Sequence, residues 1–283
     1  MLSNKQISRL VVGSLVLIFL YQGLSGPNHK QSSGSVSHLL AAANAIAIKP
    51  KVPIDNTEQI IIWAQEDPVK LFSWLLDNYK KHVQDFKGTF TKQERINGKL
   101  KKKQVISFIF KEEPFSVVMT WEKNADSIDK LLYVEKQDVK KNNMVVHPTG
   151  LLAWIKSVER DPRCKDAYKS SRKPCDRFGF GRMMEDLIEV YTLAKQQDDL
   201  QTKYLGKKEI DGRKCILVER TLPPKEEYPC KKMVIAIDLE YLVPVYVTSY
   251  DWQDELISRY EYTDLEFNVG LRLAQFTPEA NKL

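Results

Sequence analysis

The sequence lacks the motifs that identify the common enzyme classes. It has no Gly-rich phosphate-binding loop, no GxSxG nucleophile elbow and no HExxH zinc-binding helix. Glu112 and Glu113 form a carboxylate pair, but adjacent residues on a strand point to opposite faces and cannot flank one substrate bond. His147 has no evident partner along the chain. The sequence therefore predicts a protein that is not an enzyme and that uses no cofactor.

The sequence also lacks a strong excess of charge and long hydrophobic runs. A net charge of +6 over 283 residues gives no support for nucleic-acid binding. The most apolar run extends from Leu10 to Gly26 and follows Lys5 and Arg9, which is the pattern of an export signal over residues 1–26. The run is short for a spanning helix, which needs roughly 20 apolar residues. An uncleaved anchor over residues 10–26 is the alternative.

The N-terminal pattern also sets the predicted domain organisation and location. Residues 27–54 are rich in Ser, Ala and Pro and cannot bury enough apolar surface to offset their chain entropy, so they are predicted to be a disordered linker. Residues 55–281 are predicted to form one globular domain. The protein is expected to be periplasmic or secreted, with membrane contact through its N-terminal segment if that segment is not cleaved.

Histidine and cysteine are few. The four histidines are scattered and there is no CxxC pair, so no metal site is predicted. The four cysteines are Cys164, Cys175, Cys215 and Cys230. An even count in an exported protein favours two disulfides, for which three pairings are possible in principle. Cys215 and Cys230 lie in neighbouring predicted strands joined by the Pro223-Pro224 turn, which favours their pairing and leaves Cys164 with Cys175.

The stretch from Phe86 to Trp121 contains three consecutive strands with one apolar and one polar face each. Asn97-Gly98 is a strong type I′ hairpin signal between the first two strands, and Glu112-Glu113-Pro114 separates the second pair. Large apolar residues fall on alternate positions of these strands. They are Phe86, Phe90, Ile106, Phe108, Phe110, Phe115, Val117, Met119 and Trp121.

The rest of the chain adds strands and a few helices. Helices are predicted over residues 55–65, 68–82 and 181–197, the second with Asp67 as N-cap and Pro68 in its first turn. Further hairpins bring the count to about ten antiparallel strands, and a sheet of that size tends to curl. The predicted fold class is therefore mostly β with α (α+β), a curled antiparallel half-barrel with helices covering its concave face.

Two finer predictions concern side chains on this sheet. Residues 150–157 are expected to plug the sheet or to form its rim, because they include Leu151, Leu152, Trp154 and Ile155. Five aromatic residues near the C-terminus have even numbers and are expected to line one face of the sheet. They are Tyr246, Tyr250, Trp252, Tyr260 and Tyr262.

Several blocks of the sequence resemble a known superfamily. Residues 86–93, Gly98, residues 108–111 ahead of Pro114, and Trp121 resemble the opening of the outer-membrane lipoprotein carrier and lipoprotein-sorting (LolA/LolB-like) superfamily. Blocks further along the chain are similar to an exported family of unassigned function within it. These blocks are Leu132-Tyr133-Val134-Glu135, Gly212-Arg213-Lys214-Cys215, Tyr250-Asp251-Trp252 and Tyr260-Glu261-Tyr262. Together they cover roughly residues 68–281.

The resemblance implies a helix-capped half-barrel that holds acyl chains in a hydrophobic cavity. The carriers have a basic residue immediately before the proline that precedes the third strand, where it helps to hold a helical lid closed. Glu113 occupies that position here, so the charge is reversed and the lid contact does not carry over.

Two functions follow for the nine alternating apolar residues of the first sheet. In the first, they form the wall of a cavity in an exported carrier or sensor of an acyl lipid or lipoprotein. In the second, the cavity is filled and the same fold serves as a non-catalytic envelope scaffold or assembly partner, which contacts another envelope protein.

Overall fold

The computed structural model describes residues 56–137, 139 and 142–283. The predicted export signal and linker lie outside these residues. Within them, no helix combines the length and the apolar composition needed to cross a membrane.

Two helices precede the sheet and two more interrupt it. They are α1 (Thr57–Glu66), α2 (Pro68–His82), α3 (Lys165–Ser170) and α4 (Phe180–Gln196). The start of α2 is the predicted one, because the Asp67 side chain accepts a hydrogen bond from the backbone N–H of Lys70 at 3.2 Å and Pro68 follows it directly. The apolar side of α4 faces the core, with Leu187, Tyr191 and Ala194 all buried.

The described residues form one sheet of twelve strands. In chain order the strands are β1 (Asp85–Ile96), β2 (Lys99–Leu100), β3 (Gln104–Lys111), β4 (Ser116–Lys123), β5 (Ile128–Val134), β6 (Met144–Pro148), β7 (Val158–Arg160), β8 (Gln201–Ile210), β9 (Arg213–Thr221), β10 (Lys232–Asp238), β11 (Pro244–Tyr250) and β12 (Leu256–Phe267). The predicted α+β class is confirmed, and two short strands, β2 and β7, account for the excess over the predicted ten.

The sheet consists of two antiparallel meanders joined by their first and last strands. Along the sheet the order is β7, β6, β5, β4, β3, β1, β12, β11, β10, β9, β8, with β2 paired to β1. The two outer strands of this order do not meet, so the sheet curls without closing into a barrel. The chain passes from one outer strand, β7, to the other, β8, through α3 and α4, and this connection lays α4 over one face of the sheet.

That inner face carries the main core. Phe86 on β1 is fully buried and stacks on Phe180 of α4, with ring centroids 5.0 Å apart, and on Phe267 of β12 at 5.3 Å. Tyr79 of α2 meets the same ring edge-on at 6.5 Å. Aromatic pairs in these geometries stabilise the core beyond the area that they bury. The helices therefore cover the concave face, as predicted.

A smaller core lies on the opposite face. Val118 of β4 and Leu132 of β5 pack there with Leu271, Phe276 and Leu283, which follow the last strand. The odd-numbered residues of β3 and the even-numbered residues of β4 lie on this opposite face and are covered in part. The two faces of the sheet here therefore differ less in polarity than a strict alternation of apolar and polar residues implies.

The predicted disulfides are absent, and all four cysteines are free. Cys215 pairs across the β9–β10 ladder with Asp238, at the far end of the hairpin from Cys230. At about 3.3 Å per residue the two cysteines are separated by about 25 Å along the ladder, whereas a disulfide needs Cα atoms within about 7 Å. Cys164 and Cys175 are separated by α3, and the Cys175 sulfur lies 3.9 Å from Met144 Sδ instead. Burial raises the pKa of the Cys175 thiol, which keeps it protonated.

The predicted row of even-numbered aromatic residues is also wrong. Tyr246 of β11 lies opposite Glu261, and Tyr260 of β12 lies opposite Val247. Opposed residues in an antiparallel ladder share a face, so Tyr246 and Tyr260 lie on different faces. The register between two strands, and not the parity of residue numbers, decides which side chains meet.

Residues 150–157 do not plug the sheet. Leu151 is 96% exposed and Trp154 is 81% exposed, so this segment projects from the edge between β6 and β7.

Replacement of Gly179 by alanine is expected to lower the free energy of unfolding by about 2–5 kcal/mol. Gly179 has φ 96° and ψ 164°, a region open essentially only to glycine, and a Cβ atom would lie 2.9 Å from the Phe110 ring. Urea denaturation measures the change. The matched control is Gly98→Ala, which also has positive φ but meets nothing within 4 Å and should cost only the backbone strain of about 1–2 kcal/mol. Equal losses in the two variants would contradict the close packing of Gly179 on Phe110.

Candidate binding cavity

A cavity of about 540 Å³ lies between the inner face of the sheet and the segments that cross it. Strands of both meanders contribute to its wall, together with α4 and the chain from residue 162 to residue 179. The apolar part of this wall includes Phe90, Ile106, Met119, Leu131, Met144, Phe178, Val247 and Tyr262. The volume is within the range of small-molecule sites in proteins, about 300–1,000 Å³.

Four of the nine residues predicted to form a cavity wall do line this space. They are Phe90, Ile106, Met119 and Trp121. The other five lie outside the lining and pack in the main core. They are Phe86, Phe108, Phe110, Phe115 and Val117.

Two phenylalanines that lead into α4 separate these groups. The Phe178 ring lies 5.1 Å from that of Phe108 and 5.9 Å from that of Phe110, and the Phe180 ring stacks on Phe86. This end of the half-barrel is therefore filled by its own side chains. The cavity lies toward the other end, where β1 runs to Ile96.

Several lining residues were not anticipated as cavity residues. Tyr260 and Tyr262 come from β12, Val247 from β11, and Phe178 from the Lys- and Arg-rich segment that precedes α4. The alternation on β12 marked its two tyrosines as facing one side. Phe178 has no comparable signal, because the segment around it is rich in Lys and Arg and has few apolar residues.

The basic segment of residues 156–182 lies over the mouth of the cavity. It contains β7 and α3, and the stretch after α3 makes polar contacts with β1. The Lys92 ammonium donates to Ser171 Oγ at 3.1 Å and to the Ser170 carbonyl at 3.4 Å. The backbone N–H of Arg172 donates to Glu94 Oε1 at 3.2 Å. These bonds, and not a disulfide, hold the segment in place.

The cavity wall contains a buried ion pair. Lys92 Nζ lies 3.0 Å from Glu94 Oε2, and both side chains are almost inaccessible to solvent. Because the two residues are two apart on β1, their side chains leave the same face of the strand. The Tyr260 hydroxyl donates to Glu94 Oε1 at 2.5 Å. Each charge is thus paired and hydrogen-bonded, which is the condition for burying it.

A row of side chains, polar except for Met233, continues from this pair across the sheet. Glu94 lies opposite Ser258, Ser258 opposite Ser249, Ser249 opposite Met233, and Met233 opposite Arg220. All five residues line the cavity. The space is therefore amphipathic, with an apolar wall on the Phe90 side and a polar row at the end toward Arg220.

The far end of the half-barrel has a separate polar contact. Glu112, in the turn after β3, accepts a hydrogen bond from the Tyr79 hydroxyl of α2. Burial raises the pKa of the Glu112 carboxyl, against the lowering effects of the Tyr79 bond and of Arg182. The neighbouring Glu113 is exposed and, among the described residues, accepts a 3.4 Å hydrogen bond from Gln137 Nε2. Glu112, and not the residue aligned with the carriers' basic position, connects the sheet to a helix here.

The fold is a curled α+β half-barrel with an internal cavity. Residues 83–282 match the model of the family described as protein of unknown function DUF1571, and the chain therefore belongs to that family. The prediction that the chain belongs to a family of unassigned function is confirmed. No curated protein sequence matches the chain significantly.

Solved structures give more distant likenesses. A DUF1329 family protein from Desulfovibrio piger is 16% identical with a TM-score of 0.36, covering 76% of this chain and 99% of that one. A LolA superfamily protein from Nitrosomonas europaea is 9% identical with a TM-score of 0.34, covering 74% and 98%. Lipoprotein LppX from Mycobacterium tuberculosis is 10% identical with a TM-score of 0.40, covering 73% and 99%. At these scores the likenesses identify no ligand or partner for this chain.

Removal of one member of the buried ion pair is expected to destabilise the fold. Lys92→Met leaves Glu94 buried without its cation, and Glu94→Leu leaves Lys92 without its carboxylate, so each should cost roughly 3–5 kcal/mol. The double variant leaves neither charge unpaired and should be more stable than either single variant. A double-mutant cycle by urea denaturation measures the coupling. Additive losses would show that the two charges do not stabilise each other.

The raised pKa of Glu112 predicts a pH dependence of stability. A carboxyl whose pKa is higher in the folded state stabilises the fold while it is protonated, and this contribution is lost as the pH rises from the unfolded value of about 4.5 through the folded value. Glu112→Gln keeps an acceptor for Tyr79 and cannot ionise. The stability of this variant relative to the original protein should therefore rise between about pH 4 and pH 8. Thermal denaturation across that range measures the difference, and the exposed neighbour variant Glu113→Gln serves as control. A difference that is constant with pH would contradict the assignment.

Proposed function

We propose that this chain is an exported carrier or sensor that binds an acyl lipid in the half-barrel cavity. The observation that carries the proposal is the space itself: about 540 Å³ between the sheet and its covering segments, with an apolar wall. Transfer of each methylene of an acyl chain from water to such a wall is favourable by about 0.8 kcal/mol. A chain of moderate length can therefore bind without any polar recognition.

The position of the covering segment supports the same function. The mouth of the cavity is crossed by residues 170–174, which are tied to β1 by side chains and by few backbone contacts. Further contacts include a hydrogen bond from Arg172 Nη1 to the Arg95 carbonyl at 3.2 Å and an ion pair between Lys173 and Asp186 at 2.6 Å. None of these contacts belongs to a strand ladder, so breaking them would free the segment without disturbing the pairing of the sheet. A hydrophobic ligand needs such an opening to enter and leave the cavity.

The alternative function, a non-catalytic envelope scaffold, requires a half-barrel filled by its own side chains. Filling is observed at the Phe86 end, where Phe178 and Phe180 close the inner face. The other end retains the cavity, and this space favours the carrier or sensor. Whether an envelope protein binds the loaded or empty form is a separate question from the occupancy of the cavity.

Filling the cavity is expected to abolish or weaken lipid binding. Val247→Phe replaces an isopropyl group by a phenyl ring, which occupies part of the cavity. If the ring displaces about two methylenes of the bound acyl chain from the wall, the affinity should fall about tenfold. Titration with a neutral apolar fluorophore, N-phenyl-1-naphthylamine, measures the change. The matched control is Val105→Phe, the same substitution on the outward-facing side of β3, which should leave affinity unchanged.

The natural occupant can be sought directly. Organic extraction of the purified protein followed by mass spectrometry should find acyl species in the original protein and fewer in Val247→Phe. An absence of acyl species, together with no fluorophore binding by the original protein, would overturn the proposed function and favour the scaffold.

A further inference from the structure

Arg220 is the largest fully buried side chain of the described residues, and it lines the cavity. It lies on the inner face of β9 at 1% exposure. Its Nη2 donates to Cys230 Sγ at 2.8 Å, and its guanidinium lies over the Tyr191 ring at 5.5 Å. Its other two nitrogens, Nε and Nη1, are buried without a hydrogen-bond partner. A buried charge in this state is costly unless something completes its hydrogen bonds.

The other buried charged groups of the cavity do not neutralise the Arg220 guanidinium. Lys92 and Glu94 neutralise each other at 3.0 Å, and no carboxylate of the described residues forms an ion pair with Arg220. At the mouth, Asp186 is already paired with Lys173 and Arg177, and Asp126 with Lys101. Arg172 adds a further positive charge at the mouth, and the exposed carboxylates of Glu189 and Glu227 also line the cavity without forming an ion pair with Arg220. The buried lining therefore carries one uncompensated positive charge, and that charge belongs to Arg220.

Arg220 also lies at one end of the apolar wall. The row from Glu94 through Ser258, Ser249 and Met233 leads to it, while the aromatic and aliphatic wall lies on the Phe90 side of that row. A ligand with an apolar body along the wall would present its other end to this row. The chemistry at that end is a guanidinium with unused donors, which pairs most strongly with a carboxylate or a phosphate.

We propose that the cavity takes an anionic single-chain amphiphile, whose head group is bound by Arg220. This inference rests on the proposed lipid-binding function and narrows its ligand to one charge class. The carboxylate of a fatty acid and the phosphate of an alkyl phosphate share the required chemistry. Neutral and cationic amphiphiles of the same length lack it.

The test is competitive displacement of N-phenyl-1-naphthylamine at pH 8 by four twelve-carbon ligands: dodecanoate, dodecyl phosphate, dodecanol and dodecyltrimethylammonium. The original protein should bind at least one anion about 10- to 100-fold more tightly than dodecanol, as expected for a charge-assisted hydrogen bond in a buried site. The cation should bind most weakly. The ratio between the two anions distinguishes a carboxylate site from a phosphate site.

Arg220→Met keeps much of the side-chain volume and removes the charge. This variant should bind dodecanol as the original protein does and lose the preference for anions, whereas Arg220→Lys should retain part of it. Arg172→Met, at the exposed mouth, is the matched control and should keep the preference. Loss of the preference in Arg172→Met but not in Arg220→Met would overturn the assignment of the head group.

The outcomes separate this inference from the function on which it rests. If the original protein binds dodecanol as tightly as the anions, the anionic head group is wrong and lipid binding stands. If it binds none of the four ligands and no fluorophore, lipid binding itself is wrong. The ligand series needs no variant, so a failure of Arg220→Met to fold would still leave the inference open to contradiction.

Discussion

The pairing of β1 with β12 is the contact on which the rest of the structure depends. It joins the first strand of one meander to the last strand of the other, across almost the whole sequence of the domain. Gly88 makes the close approach possible, because a Cβ atom there would lie 2.8 Å from the carbonyl oxygen of Thr263. Without this pairing there would be two smaller sheets and no shared concave face. Long-range pairing of this kind also delays folding, since loop closure must precede it.

The crossing of α4 decides how the concave face is used. The helix must travel from one outer strand to the other, and the two phenylalanines at its start enter the half-barrel on the side of Phe86. Their rings close that side with stacked and edge-on contacts. The curvature that remains on the other side is covered by α3, by the polar segment after it and by one side of α4. An interior that is solid at one end and hollow at the other follows from this asymmetry.

The hollow end combines two kinds of chemistry that seldom coexist in a structural core. Apolar side chains dominate its wall, yet Lys92, Glu94 and Arg220 are buried in the same lining. Packing alone does not require any of them, since apolar residues of similar volume often serve a core as well or better. Their presence fits the proposed ligand site. The Lys92 and Glu94 pair holds the covering segment, and two nitrogens of Arg220 have no hydrogen-bond partner among the described residues.

The sequence by itself determined ten of the twelve described strands, the helices α1, α2 and α4 and the sidedness of the first sheet, because alternation, caps and the Asn97-Gly98 turn are local signals. Asn97 and Gly98 do have positive φ, 50° and 75°, as that turn requires. Only the tertiary structure decided which of the nine inward residues line the cavity and which pack in the aromatic core. The reason is that Phe178 and Phe180, which fill one end of the half-barrel, are far from the first strands in the sequence. The tertiary structure also decided that Tyr246 and Tyr260 lie on different faces of the sheet and that Cys215 and Cys230 lie at opposite ends of a hairpin. Those outcomes depend on the register between strands, and register is fixed by the packing of whole strands on a shared core, which no short stretch of sequence contains.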